Sequence, residues 1–237
     1  MFGVPVRICK GFWVLALLCG ALVTGCKPNA LVLIPYVLVA LVVLLVYALV
    51  RAGLGRLCMR KPMGAVLTWL GPRCTMENAE QNRLKWPEFA PLLLGGMACA
   101  LGMALVVAAG LLLAAPSAAA AWEMCRCMIC GEVPEVLVGE WPPLLLLAAV
   151  YAVQVVGVWA VLNVLPIYPF DCGLLMSFVL GSARLGSLLS LLVAAGLAGG
   201  ALALGWWLCG GLLLALTFIN YYRVFMCVAD DESTKRS

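Results

Sequence analysis

The stretch NVLPIYPFDCG, which spans Asn163–Gly173, ends an apolar run that is long enough to cross a membrane. Pro166 and Pro169 cannot continue a helix, because proline lacks the backbone N–H and its ring clashes with the preceding turn. Asp171 is the only acidic residue between positions 141 and 229. An ionisable side chain at membrane depth costs free energy and therefore indicates a functional site. The stretch predicts a broken helix end that presents Asp171.

The composition of the chain predicts a membrane protein. Of its 237 residues, 65% are hydrophobic and 11% are charged, and the mean hydropathy is +1.11. A soluble domain carries about 25% charged residues. The net charge of +4 does not indicate nucleic-acid binding, because the basic residues are spread along the segments between apolar runs. The lipid bilayer is therefore an expected partner, and a nucleic acid is not.

The apolar runs predict an all-α, polytopic membrane protein with about six transmembrane helices in a single integral membrane domain, residues 1–237. The expected spans are 11–25, 30–50, 89–115, 144–165, 186–203 and 205–225, with the last crossover at Gly199–Gly205. Two polar segments, 51–88 and 122–143, are expected to be loops. Gln154, inside the fourth span, is expected to bond a neighbouring helix.

The first apolar run has a second interpretation. Gly11–Gly25 follows Arg7 and Lys10, so it is either a first span or the apolar region of a signal peptide. The ending V-T-G-C, which closes on Cys26, also resembles a bacterial lipoprotein cleavage box. The later spans have the same interpretation in either case.

The basic residues predict the orientation of the chain. With six spans, thirteen of the fifteen Lys and Arg fall on one side, and only Lys27 and Arg126 fall on the other. The positive-inside rule assigns the richer side to the cytoplasm. The N-terminus, the C-terminus and the 51–88 loop are therefore predicted to be cytoplasmic, and the Cys- and Glu-containing 122–143 loop is predicted to be external.

The opening stretch contains the pattern N-x-x-P-x-x-P-x-D-x-G, formed by Asn163, Pro166, Pro169, Asp171 and Gly173. This pattern resembles the Asn-Pro-Asp-Gly signature of the site-2 protease family of intramembrane zinc metalloproteases. The stretches Phe2–Arg7 and Pro91–Leu105 are also similar to the small bacterial members of that family. The resemblance implies a site-2 protease-like core in a bacterial inner membrane. It also implies that Asp171 corresponds to the third zinc ligand and that Asn163 corresponds to a residue that positions the substrate or the oxyanion.

The chain departs from the family at the other catalytic positions. The family carries H-E-x-x-H on a helix, where two histidines bind zinc and the glutamate is the general base. At the matching place Tyr47 replaces the first His, Ala48 replaces the Glu and Arg51 replaces the second His. The chain has no histidine at all, so Asp171 is the one remaining ligand. No cofactor is expected here, although active relatives hold zinc.

These substitutions predict a pseudoprotease, a catalytically inactive member of the site-2 family. The expected role is to bind or regulate a membrane protein partner by holding one of its transmembrane segments in the former substrate groove. One alternative is an active zinc metalloprotease that uses unconventional ligands. Another is a small membrane transporter whose broken helix forms a binding site at the bilayer midplane.

The lost metal raises the question of what neutralises Asp171. In an active relative the second histidine and the aspartate bind one zinc ion, so the resemblance implies that Arg51 lies near Asp171. We expect an ion pair between Arg51 and Asp171, assisted by the O–H of Tyr47. The alternative is that Arg51 reaches the cytoplasmic interface while Asp171 caps a helix or meets water.

A cysteine cluster lies in the predicted external loop. Cys125, Cys127 and Cys130 occur within six residues. A disulfide among them, or from one of them to Cys26 on the same predicted side, is one use that suits an oxidising compartment. Unpaired thiols and a metal site are the alternatives.

The expected ion pair is testable with the variants Arg51→Ala, Asp171→Ala and the double variant. If the two side chains pair, the double variant loses less stability than the two single losses combined, with a coupling of roughly 1–3 kcal/mol. The measurement is the free energy of unfolding of the purified protein in detergent. Additive losses would show that the two side chains act independently.

Overall fold

The structure is a computed structural model that describes residues 4–23, 30–59, 63–68, 71–76, 86–130, 132–134, 142–205 and 207–235. In this part of the chain the fold is mostly helical, with a small sheet near the N-terminus. The helices are α1 Lys10–Val23, α2 Ala30–Met59, α3 Trp86–Ala114, α4 Ala118–Cys130, α5 Pro143–Val164, α6 Asp171–Val179, α7 Ala183–Ala203 and α8 Trp207–Lys235. The strands are β1 Val6–Ile8, β2 Met63–Thr68 and β3 Gly71–Met76.

Four of the described helices are long and apolar enough to cross a membrane. They contain the stretches Leu31–Leu57, Ala90–Ala114, Pro143–Val164 and Ala183–Ala203. Shorter apolar stretches, Lys10–Ala21 and Cys209–Phe225, lie in α1 and α8. These lengths agree with a helical membrane protein, and the count of six spans stays a prediction.

The segment 51–88 is not the loop that the sequence suggests. Helix α2 continues through Arg51 to Met59: no proline interrupts this stretch, and the helix accommodates Gly53 and Gly55. Strands β2 and β3 then pair antiparallel, and β1 pairs parallel with β2, which gives the sheet order β1-β2-β3. The expectation of a purely helical fold is therefore corrected for this small sheet.

The segment 122–143 also differs from the expected loop, because its first part is helical. Helix α3 ends at Ala114, just before Pro116, whose ring disfavours helical backbone in the residue before it. Ser117 then caps α4: its Oγ accepts a hydrogen bond from the N–H of Ala120 at 3.2 Å. Helix α4 carries Cys125 and Cys127.

The chain divides into two compact units, and each is described by itself. Unit 1 comprises 1–84 and 98–160, and unit 2 comprises 85–97 and 161–237.

In unit 1, two edge-to-face aromatic pairs join α2 to α5. The ring centroids of Tyr36 and Tyr151 lie 5.2 Å apart, and those of Tyr47 and Trp159 lie 5.4 Å apart. Because residue numbers increase in the same direction along both contacts, α2 and α5 run parallel. As expected, Gln154 of α5 bonds another helix: its Nε2 donates to the carbonyl oxygen of Ile129 in α4 at 3.4 Å.

In unit 2, α7 and α8 form an antiparallel hairpin. The turn lies at Leu204–Gly205, within the crossover that the glycines predict, and Gly205 has a φ of 78° that favours glycine. Ala194, Ala198 and Ala201 are buried along α7, and such small side chains let membrane helices approach closely.

Candidate functional site

The backbone between α5 and α6 is broken, as the two prolines predict. Helix α5 ends at Val164, and α6 begins at Asp171. Between them, the N–H of Ile167 donates to the carbonyl of Leu165 at 2.7 Å, and the N–H of Phe170 donates to that of Ile167 at 2.9 Å. The Tyr168–Pro169 peptide bond is cis. We call residues 165–170 the break segment.

Asp171 occupies the first turn of α6 and is 1% exposed. A helix N-terminus carries partial positive charge, which favours a carboxylate there. Asn163, in the last turn of α5, is also 1% exposed. The two polar residues of the motif therefore flank the break segment, and both are removed from solvent. A buried carboxylate is tolerated only with hydrogen bonds or a compensating charge.

Gly173 lets α6 lie directly against the break segment. A Cβ atom at this position would fall on backbone atoms of Ile167 and Tyr168. Backbone atoms cannot move aside as a flexible side chain can, so a larger residue would push α6 away. This close approach gives the glycine of the motif a packing role in this chain.

Tyr168 anchors the break segment to both helices of the α7–α8 hairpin. Its N–H donates to Oγ of Ser190 at 3.1 Å, and its carbonyl accepts from Nδ2 of Asn220 at 3.0 Å. The guanidinium carbon of Arg223 lies 3.3 Å above the centroid of its ring, which is a cation–π contact. Ser190 and Asn220 are fully buried.

Sequence reasoning missed Ser190, Asn220 and Arg223 as members of this site. The available signal was the presence of isolated polar residues inside apolar spans. Such residues usually bond a neighbouring element, because hydrocarbon offers no alternative partner. The sequence alone does not say which element that is, because the bonds to Tyr168 come from residues 22 and 52 positions away.

The positions that the resemblance matches to a metal-binding helix lie in unit 1, on α2. Tyr47 and Ala48 are fully buried, and Arg51 is 8% exposed. The rings of Tyr47 and Trp159 meet edge to face at an interplanar angle of 77°. On another side, the six-membered ring of Trp159 lies where a Cβ at Gly71 would be, 2.7 Å from Cζ3. Position 47 therefore contributes to aromatic packing in the core of unit 1.

A zinc ion does not fit this set of side chains. Catalytic zinc needs three protein ligands from Cys, His, Asp or Glu, and of positions 47, 48, 51 and 171 only Asp171 provides one. Within the described ranges, no group of three or more such side chains comes together as a metal site. Arg51 and Asp171 belong to different units, so their ion pair and the role of the Tyr47 hydroxyl stay predictions.

The cysteine cluster of the predicted external loop is partly described. Cys125 and Cys127 carry no disulfide, and two residues apart on a helix their side chains diverge. Cys26 and the side chain of Cys130 lie outside the described residues, so the other pairings stay predictions. On the same helix the exposed Glu123 has its pKa lowered, mainly by hydrogen bonds from Arg126, whose Nε lies 3.0 Å from Oε2.

Comparison of the chain with protein-family models, with characterised proteins and with solved structures found no match in any of the three.

The anchoring role of Asn220 is testable with Asn220→Leu. The substitution removes the donor to the Tyr168 carbonyl, and an unsatisfied buried acceptor costs about 1–3 kcal/mol. Thr217→Val is the matched control, because the Thr217 hydroxyl bonds the Leu213 carbonyl within the same helix. We expect a clear loss of unfolding free energy in detergent for the first variant and a smaller change for the second. Equal losses of unfolding free energy in the two variants would mean that the bond to the Tyr168 carbonyl stabilises the protein no more than a bond within one helix.

Proposed function

We propose that this chain is a catalytically inactive relative of the site-2 proteases, with a six-span fold in a bacterial inner membrane. In this proposal it binds the transmembrane segment of another membrane protein. The observation that carries the proposal is the chemistry of α2. Where the resemblance implies two zinc ligands and a general base, α2 has a tyrosine, an alanine and an arginine, all buried. Ala48 has no group that accepts a proton, and Tyr47 is used in packing against Trp159.

The site retains what a binding function needs. The break segment interrupts a helix beside the buried Asn163 and Asp171, and it is held by Ser190 and Asn220. The N–H groups of the break segment are already bonded within the chain, so in this proposal a guest segment bonds its carbonyl oxygens, each of which has a second lone pair. Binding of this kind needs shape and hydrogen bonds, and it needs neither a metal-bound water nor a general base. The retained features therefore favour recognition over hydrolysis.

The zinc content of the purified protein tests two predictions: that the wild-type chain lacks a catalytic zinc site, and that positions 47, 51 and 171 are arranged as the family resemblance implies. The wild-type protein, purified without chelator, is expected to hold far less than one zinc per chain. The triple variant Tyr47→His, Ala48→Glu, Arg51→His rebuilds H-E-x-x-H, and with Asp171 it is expected to bind about one zinc per chain. The measurement is metal analysis by mass spectrometry after dialysis against zinc.

A shifted variant is the matched control for zinc binding. Val46→His, Tyr47→Glu, Val50→His places the same motif one residue earlier, on positions 46 and 50 that are exposed in the structure. It is expected to bind no stoichiometric zinc. Adding Asp171→Ala to the rebuilt variant is expected to release the metal. Stoichiometric zinc in the wild-type protein would instead support an active metalloprotease, and equal binding by both motifs would contradict the assigned register.

Partner binding is testable by site-specific photo-crosslinking in membranes. A photoreactive amino acid at Val164, which is 43% exposed beside the break segment, is expected to form an adduct with a transmembrane segment. The same probe at Leu192, 69% exposed on α7, serves as a control for contact with lipid and bystander proteins. Adducts at both positions alike, or at neither, would argue against a guest segment at the break segment.

A further inference from the structure

Helix α4 concentrates sulfur-bearing side chains. The sequence Met124–Cys130 reads M-C-R-C-M-I-C, so five of its seven residues carry sulfur. The sequence alone leaves the use of these residues open, because cysteines this close can form a disulfide, remain thiols or bind a metal. The helical conformation of Ala118–Cys130 decides which of them share a face.

The two methionines lie one turn apart on the buried face of α4. Positions i and i+4 of a helix are neighbours, about 5–6 Å apart at Cβ. Met124 is 2% exposed and Met128 is fully buried, while Trp122 and Ile129 on other faces are exposed. This pattern directs both thioether groups to the same side of the helix, toward the interior of unit 1.

The two described cysteines flank the methionine pair. Cys127 follows Met124 by three positions, and Cys125 precedes Met128 by three, so the Cβ atoms of each pair are neighbours on the helix surface. The thiol of Cys127 also lies 3.9 Å from Oε1 of Glu123, one turn earlier on the same helix. Both cysteines are half-buried. The result is a patch in which two thioethers are bordered on either edge by a thiol. We call Met124, Cys125, Cys127 and Met128 the sulfur patch.

The chemistry of the sulfur patch selects one kind of metal. Zinc in proteins takes thiolate, imidazole and carboxylate ligands, and thioether is not among them. Calcium and magnesium take oxygen ligands. Soft thiolate and thioether ligands together favour Cu(I). Metal binding would also release the thiol proton, because the ligand form of cysteine is the thiolate.

We propose that the sulfur patch is a Cu(I) site in which Met124 and Met128 are thioether ligands and a flanking cysteine completes the set as thiolate. This inference is independent of the proposed binding of a transmembrane segment, because it uses only α4. It goes beyond a packing role, in which methionine fills gaps in a core and any apolar side chain of similar volume serves as well.

Substitution by leucine separates the two roles. Leucine conserves the volume and the apolar character of methionine, so Met124→Leu and Met128→Leu are expected to fold. The full chain in detergent is titrated with Cu(I) under anaerobic, reducing conditions against a chromophoric Cu(I) chelator. The wild-type protein is expected to bind one Cu(I) at the patch, and each leucine variant is expected to lose at least about tenfold in affinity.

Matched controls address methionine and cysteine outside the patch. Met103→Leu and Cys99→Ser, both on α3, are expected to keep the wild-type affinity. At least one of Cys125→Ser and Cys127→Ser is expected to weaken binding, and the double variant is expected to abolish it. X-ray absorption of the copper-loaded wild-type protein is expected to show a coordination shell of sulfur only.

Three results would contradict the proposed Cu(I) site. Unchanged affinity in the leucine variants would leave the methionines as core residues. Retained binding after loss of both cysteines would exclude the thiolate ligand. A shell that contains nitrogen or oxygen in the copper-loaded wild-type protein would place the ion elsewhere, and this measurement does not depend on the folding of any variant.

Discussion

The backbone of the break segment imposes the main constraint on unit 2. After Leu165 the chain leaves the helical hydrogen-bond ladder inside an apolar sequence, so the peptide groups up to residue 170 need partners within the segment or from other elements. Ser190 accepts a hydrogen bond from the N–H of Tyr168, and Asn220 donates one to its carbonyl oxygen. These bonds require that α7 and α8 lie side by side at the segment, which their small buried residues permit. Helix α6 begins where the break segment ends, which places Asp171 in its first turn.

Positions 47, 48 and 51, which the resemblance matches to a metal-binding helix, are occupied by buried side chains. A zinc ion would hold its ligands by coordination and offset the charge of a carboxylate. Tyr47 is instead held by Trp159 through an edge-to-face contact, and a contact of this kind contributes about 0.5–1.5 kcal/mol beyond its buried area. Trp159 in turn fits against the glycine at position 71. The packing of unit 1 therefore uses the ring of Tyr47 as a core side chain.

The segments outside the apolar runs contain regular structure of their own. Strands β1, β2 and β3 occupy both the N-terminal stretch and the first polar segment, and α4 occupies the start of the second. In the β-sheet Ala65 and Leu67 are fully buried on alternate positions, so one face of β2 packs against the interior. Short strands and a short helix contain too few residues to show a clear hydrophobic periodicity. The sequence pattern, which long apolar runs dominate, therefore did not predict them.

The sequence by itself determined the helical membrane class and the place of the break. Composition predicts the first, because so few charged residues cannot cover a soluble surface, and Pro166 and Pro169 predict the second. Residue identity also predicts the turn at Gly205 and shows that the chain has no histidine. Only the tertiary structure decided that α2 extends past Arg51 and that β1 joins β2. It also decided that Asn220 holds Tyr168. These features depend on contacts between residues far apart in the chain, and local patterns do not encode which distant group satisfies a given hydrogen bond.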